Sequence, residues 1–345
     1  MFKSFIWTLF LFVHSTVFGD LDYRTVEISE VFSAKISEAV DISENGWVCG
    51  KVKFTENGKT REIPFVWKED IGYIELEIPA ESGVSVAIND KGQVAGNYTV
   101  KNTRRGFFWD RETGFQDIGD LGGREVIVYD INNHGQIVGT SQDELSGLNS
   151  LRVNAFVWKN GHMKSLDTIG DQEGLPGNSS HAYAINDDGL IIGFSNKFIP
   201  GRGDGSYSTD FLTVWDSNGI PREINIGNEI SRRNETNLTN DGWFLSTFND
   251  LYIMNIYSGE KIKAGYSMNG LANKNTGYRS MNKAGLFSYQ KRVNGFSYEP
   301  EGGLRVYGKY CIEIERILSM NSAGDIVGSA KTVDGRSHAI ILIKE

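Results

Sequence analysis

The sequence predicts an all-β protein: a seven-bladed β-propeller with four-stranded blades, the last blade completed by a strand from the N-terminus. Three observations predict it. A ten-residue hairpin motif recurs seven times along the chain. An apolar strand follows each copy, ending in Trp in four cases. The last copy lacks the fourth strand that the others lead into, and a lone strand of matching pattern stands near the start of the chain.

The cleanest motif copies are AINDKGQVAG (Ala87–Gly96), DINNHGQIVG (Asp130–Gly139), AINDDGLIIG (Ala184–Gly193) and SMNSAGDIVG (Ser319–Gly328). Weaker copies are DISENGWVCG (Asp41–Gly50), NLTNDGWFLS (Asn237–Ser246) and SMNKAGLFSY (Ser280–Tyr289). Their central glycines are Gly46, Gly92, Gly135, Gly189, Gly242, Gly285 and Gly324. The period is roughly 45 residues, within the range of propeller blades.

Each motif position has a physical reason. Three residues before the glycine stand Ser43, Asn89, Asn132, Asn186, Thr239, Asn282 and Asn321. Such short polar side chains bond a backbone N–H two residues on and hold a turn. The glycine supplies the positive φ that ends a type I turn with a bulge. Apolar residues flank the turn, Ile88 before and Val94 after in the second copy, so both flanks read as strands A and B. A glycine ends strand B in five copies and leaves room for close backbone approach.

Strand C reads PFVW (Pro64–Trp67), GFFW (Gly106–Trp109), AFVW (Ala155–Trp158), LTVW (Leu212–Trp215), LYIM (Leu251–Met254), GFSY (Gly295–Tyr298) and AIIL (Ala339–Leu342). A second hairpin leads to strand D, as in YIELEI (Tyr73–Ile78), FQDI (Phe115–Ile118), MKSL (Met163–Leu166) and REINI (Arg222–Ile226). The last unit stops after strand C. YRTVEI (Tyr23–Ile28) matches the first D strand and is expected to complete that blade, removing the exposed edges of an open array. The runner-up architecture is a β-solenoid. The aromatic series ending the C strands is expected to be core between blades, because it repeats in each.

Residues 1–19 read as a signal peptide. Lys3 is the charged n-region, Phe5–Val13 the apolar h-region, and Val17 and Gly19 suit the cleavage site. Cleavage near Gly19 leaves 20–345 as a single domain, secreted or held in a periplasm or at a cell surface. No later segment is apolar enough to span a bilayer. The net charge of −9 argues against nucleic-acid partners. Two cysteines, Cys49 and Cys311, leave either one bridge or two buried thiols.

The hairpin motif followed by an A-F-x-W strand resembles the extracellular HAF-repeat family. His338–Ala339–Ile340 and Asn154–Ala155–Phe156 stand where the family's name-giving triplet falls. The resemblance covers all seven units, strongly in four, and departs most at Met254 and Tyr298. It implies a secreted, propeller-like, mostly bacterial protein with no established activity. It carries no catalytic residues over, and it leaves the sequons at Asn97, Asn178, Asn234 and Asn237 bare.

The A–B and C–D turns share one face of the disk, and the B–C and D–A connections share the other. The longest insertions, Thr140–Val153, Ser195–Asp210 and Gly170–Ser180, all fall on the second face, in blades three and four. Insertions gathered on one face mark a binding face. Its candidate residues are Asp171, Glu173, Arg202 and Asp204, with Asp120 and Arg124 in the preceding D–A loop. His181 opens strand A of blade four on that face. His134 and His162 sit on turns of the opposite face. Acidic loop oxygens suit Ca²⁺, but the spacing matches no loop signature, and no metal or cofactor is assigned. Arg202–Gly203–Asp204 spells an adhesion triplet. Nucleophile-elbow and zincin signatures are missing.

The reading is a monomeric, non-catalytic secreted propeller that presents these loops to a protein or glycan partner. The alternative is a glycan hydrolase or lyase using loop-face carboxylates.

Overall fold

A computed structural model describes residues 23–26, 36–144, 153–169, 179–224, 238–263, 276–300 and 311–344, apart from 57, 81, 201–205, 248–250, 282–286, 294–296 and 333–334. The signal-peptide reading lies outside the described residues.

Every described element of regular structure is a strand. β1 is Tyr23–Val26. The first sheet holds β2 (Ile36–Ile42), β3 (Val48–Glu56), β4 (Lys59–Lys68) and β5 (Gly72–Glu75). The second holds β6 (Ser82–Ile88), β7 (Val94–Val100), β8 (Thr103–Asp110) and β9 (Gly114–Asp117). The third holds β10 (Gly122–Ile131), β11 (Ile137–Asp143), β12 (Val153–Lys159) and β13 (His162–Ser165). The fourth holds β14 (Ser180–Ile185), β15 (Ile191–Pro200), β16 (Ser206–Trp215) and β17 (Pro221–Glu223). Two three-stranded sheets follow: β18 (Trp243–Thr247), β19 (Leu251–Asn255) and β20 (Lys261–Lys263), then β21 (Thr276–Met281), β22 (Phe287–Val293) and β23 (Ser297–Pro300). The terminal sheet holds β24 (Cys311–Met320), β25 (Ile326–Thr332) and β26 (Ser337–Lys344).

β1 pairs antiparallel with β26, Tyr23 opposite Lys344 and Val26 opposite Ile341. The terminal sheet also meets the first. The Ala339 N–H donates to Ser37 Oγ at 2.8 Å, and the Ser322 N–H donates to Glu44 Oε2 at 2.9 Å. First strands of neighbouring sheets lie against one another: β2 on β6, β6 on β10, β10 on β14, and β24 on β2. These strands are therefore the inner edges of their sheets.

The core lies between sheets, and the C-strand aromatics build it. Trp109 packs on Trp47, Cys49, Val66 and Leu76 of the first sheet. Trp158 meets Phe108 of the second with ring centroids 5.3 Å apart. Trp215 is fully buried on Val138, Ala155 and Leu166 of the third, and its Nε1 donates to the Asp167 carbonyl at 2.7 Å. Trp67 packs on Val327, Ala339 and Ile341 of the terminal sheet. Met254, where the Trp is missing, does the same work against Leu212 and Val214. Among the described residues the repetition thus reflects inter-sheet packing.

Strand A carries a bulge at one register in each described case. In the third sheet Val128 faces Gly139 and Asp130 faces Val138, leaving Tyr129 out of the ladder. In the fourth, Tyr183 is left out in the same way. The bulge explains the strand-B glycine. A Cβ on Gly139 would lie closer than 3.0 Å to the Ile127 carbonyl oxygen and to the Phe156 ring. The close approach expected at this glycine is real.

The sequence placed a loop at Ser195–Asp210, and this needs correction. β15 and β16 pair from Ile191–Trp215 out to Pro200–Ser206, so the segment is a long hairpin around residues 201–205. Its Gly-rich centre, Gly201–Gly205, and the polar residues on either side read as a loop in the sequence.

Candidate functional site

The motif turns form a belt. Asn132 Oδ1 accepts from the N–H groups of His134 and Gln136, each at 3.0 Å, as a turn-holding side chain should. Its Nδ2 does more, donating to the Asn186 carbonyl of the next sheet at 2.9 Å. Asn89 reaches Asn132, and Asn186 reaches Thr239, in the same way. Alongside, the N–H of Asp90 donates to Asn133 Oδ1, that of Asn133 to Asp187 Oδ1, and that of Asp187 to Asn240 Oδ1, each at 2.9 Å. Sequence reasoning found the turn role of these Asn residues and missed the link between sheets. The signal was the preference for an amide, with two N–H donors, over a hydroxyl with one.

Of the loop-face candidates, Asp171, Glu173, Arg202 and Asp204 lie outside the described residues. Asp120 is already engaged. Its Oδ2 takes a 2.6 Å bond from Arg105 Nη1, and its Oδ1 caps the Gly122 N–H at 2.8 Å. Arg105 Nη2 also meets Asp117 Oδ2 at 3.1 Å, and Tyr98 OH donates to the same oxygen at 2.7 Å. Burial, then Asp117, pushes the Tyr98 phenol up to about 12. Burial pulls the Arg105 guanidinium down, but Asp117 and Asp120 outweigh it and leave it raised. This knot welds strands B, C and D of the second sheet to the following loop. Arg124 also needs correction: it lies on β10, its N–H bonded to Gln142 Oε1 at 3.4 Å, and not in a loop. Among the described residues no group of three or more His, Cys, Asp or Glu side chains could hold a metal ion, and no helix is long and apolar enough to cross a membrane.

Cys49 is a free, fully buried thiol, so the reading with a Cys49–Cys311 bridge is overturned. Burial, then the Asp41 charge, pushes the thiol well up. Asn97, the first sequon, is tied to β10: it accepts from the Val128 N–H at 2.9 Å and donates to the Val128 carbonyl at 3.3 Å. The other three sequon asparagines lie outside the described residues. His134 and His162 are exposed on their turns, while His338 is fully buried 3.5 Å from Ser37 Oγ.

His181 sits where the sequence put it, on β14 at the loop-face end, and it gathers neighbours from two sheets. Its ring stacks on Tyr183 at 5.8 Å with 14° between planes. Tyr183 meets Tyr129 of the third sheet edge-on at 5.0 Å, so two bulge residues touch across neighbouring inner strands. His181 Nδ1 lies 3.3 Å from Thr140 Oγ1. Burial pushes the Tyr129 phenol up, and Thr140 and the Arg104 charge pull it part-way back.

Sequence reasoning found His181 alone. Tyr129 and Thr140 come from two strands of the third sheet, and the fold brings Tyr129 to Tyr183 and Thr140 to His181.

A family model described as "Protein of unknown function (DUF3466)" matches residues 12–168. No functionally curated protein matches the chain. Solved structures do. The β-propeller domain of the Trilobed protease from Pyrococcus furiosus, described as having an open velcro topology, superposes with a TM-score of 0.53 at 11% identity, over 89% of this chain and 95% of that one. A streptogramin B lyase superposes at 0.51 with 14% identity, over 94% and 98%. The acylaminoacyl peptidase of Pyrococcus horikoshii gives 0.51 at 12% identity, over 91% of this chain and 54% of its own, so the chain spans about half that enzyme. At such identities the likeness is one of fold alone: the chain is an all-β protein of the β-propeller type.

Proposed function

We propose that the chain is an exported, non-catalytic binding propeller of the HAF-repeat kind. Seven blades close into a ring through β1, and the B–C and D–A connections of blades three and four meet a protein or glycan partner. One observation carries the choice of face. The fourth blade's β15 and β16 pair from Ile191–Trp215 out to Pro200–Ser206, toward the side where His181 opens strand A. Ring closure is supported by the β1–β26 pairing and by the bonds from the terminal sheet to Ser37 and Glu44. The carboxylate chemistry of the alternative reading is weakened at Asp120, whose oxygens are held by Arg105 and Gly122.

The test is binding of the exported chain to a panel of surface polysaccharides and extracellular proteins, against a variant with residues 201–205 replaced by a short linker. Binding should fall while the thermal midpoint holds. Unchanged binding to every partner would overturn the choice of face. Closure has its own test. Arg24 faces Ile343 across β1 and β26, so R24C/I343C in a background lacking Cys49 and Cys311 should form an intramolecular disulfide.

A further inference from the structure

We propose that the ring opens reversibly at the seam between the terminal sheet and the first, and that three carboxylates of the first sheet latch it there. The inference rests on the ring-closure reading above and says where a closed ring gives way.

The latch is a matched set. Arg316 Nη1 donates to Glu38 Oε1, Ser319 Oγ donates to Asp41 Oδ1 at 2.7 Å, and the Ser322 N–H donates to Glu44 Oε2 at 2.9 Å. Donors and acceptors advance along the chain by the same step, so β24 and its turn run in register beside β2 and its turn. Every acceptor is a carboxylate, and bonds to an ionised acceptor are stronger than bonds between neutral groups. Two of the carboxylates are held from a second side. Glu38 Oε2 meets Lys51 Nζ at 3.6 Å, and Asp41 Oδ2 accepts the Ile88 N–H of the second sheet at 3.0 Å.

Two features set this seam apart. The first is the crossing amide bond of the motif turns. It measures 3.0 Å from Asn89, 2.9 Å from Asn132 and 3.1 Å from Asn186, but 3.5 Å from Asn321 to the Ser43 carbonyl. The carboxylates therefore stand in for a bond that is stretched here. The second is the tether. β5, β9 and β13 each follow their C strand through a short turn, so each re-pairs at high effective concentration. β1 and β26 lie at opposite ends of the sequence with no turn between them, and Arg24 clasps Glu69 only at an exposed ion pair. A strand held this way is the first to part. Opening unpairs β1 and separates Trp67 from Val327, Ala339 and Ile341. That loss of apolar contact keeps the open ring a minor state, which hydrogen exchange detects.

Two buried N–H groups at the same place in strand C supply the comparison. Ala339 donates to Ser37 Oγ across the closing seam at 2.8 Å, and Ala155 donates to Ser180 Oγ across the third and fourth sheets at 2.9 Å. The experiment measures their protection factors by amide exchange and NMR in the exported chain. Ala339 should be at least about tenfold less protected than Ala155. Glu38→Gln and Glu44→Gln should each lower its protection roughly threefold further and leave Ala155 as it was. Glu112→Gln, exposed on the turn between β8 and β9, should change neither. The R24C/I343C disulfide should raise Ala339 to the level of Ala155. If Glu38→Gln disturbs the fold, Glu44→Gln at the surface decides alone. Equal protection of the two alanines in wild type, or equal loss at both in the latch variants, overturns the proposal. The two readings fail separately. If the disulfide does not form, ring closure itself falls. If it forms and the two alanines exchange alike without it, only this inference falls.

Discussion

The side-chain nitrogen of Asn132 donates to the backbone carbonyl of Asn186, in the neighbouring blade, at 2.9 Å. Asn89 makes the equivalent bond at 3.0 Å and Asn186 at 3.1 Å, whereas the bond from Asn321 to the Ser43 carbonyl stretches to 3.5 Å. Two motif copies carry a hydroxyl in this position. Ser43 gives its one proton to Asn45 and Thr239 gives its proton to Asp241, both within their own turns. A hydroxyl has nothing left for the next blade. An amide has two donors: one of Asn132's goes to Gln136 Oε1 and the other crosses.

This separates two variants. Asn132→Ser should keep the local turn and lose the crossing bond. The Asn186 carbonyl retains the Gly189 N–H, so the cost should be about 1 kcal/mol. Asn132→Ala also strands the N–H groups of His134 and Gln136 in a turn whose central side chain is 1% exposed, and should cost about 2–3 kcal/mol. Urea unfolding midpoints at constant slope check both. Equal losses for the two variants would mean that the crossing bond, not the turn, carries the whole contribution.

The belt also shows what could be read in advance. Strands A to C were legible because each pairs a fixed turn chemistry with apolar flanks, and the spacing repeats. The β15–β16 extension was not, because its Gly-rich centre and polar flanks carry no strand alternation. Asp120 looked free because its partner, Arg105, is fifteen residues earlier and meets it through the fold of the C and D strands. His181 was legible from position alone. Tyr129 was hidden by a bulge, which no local pattern announced. The strand-B glycine was the nearest thing to a signal for that bulge.

That glycine gives the second prediction. Gly139→Ala would push a methyl group into the Ile127 carbonyl and the Phe156 ring, both fixed by the core. Overpacking of this kind costs about 1–3 kcal/mol, and backbone on one side should put it at the upper end. Gly114→Ala is the control. Gly114 has φ +72° with open space around its Cβ position, so only the strain of that φ remains, about 1 kcal/mol. Thermal and urea unfolding of the two variants should differ in that order. A Gly139→Ala protein as stable as Gly114→Ala would show that the bulge can relax and that the glycine is not required by it.

Tyr98 gives a prediction in pH. Its folded phenol stands at about 12 against an ordinary 10.0, because burial and then Asp117 disfavour the phenolate, with Arg105 pulling the other way. The raised folded value sets the sign. Below pH 10 both states hold the proton and this group's contribution is complete. Between pH 10 and about 12 the unfolded chain ionises while the folded one does not, so stability falls. Beyond that window the group adds no further loss. Tyr98→Phe should therefore flatten the decline of urea midpoint with pH across this window, and leave the slope below pH 9 as in wild type. Asp117→Asn should shift one tyrosine back toward its ordinary value in an absorbance titration at alkaline pH, since it removes the acceptor that holds the phenol proton. Matching slopes for wild type and Tyr98→Phe between pH 10 and 12 would mean that the knot opens before the phenol titrates, and that Arg105 and its two aspartates do not hold the second blade's edge at high pH.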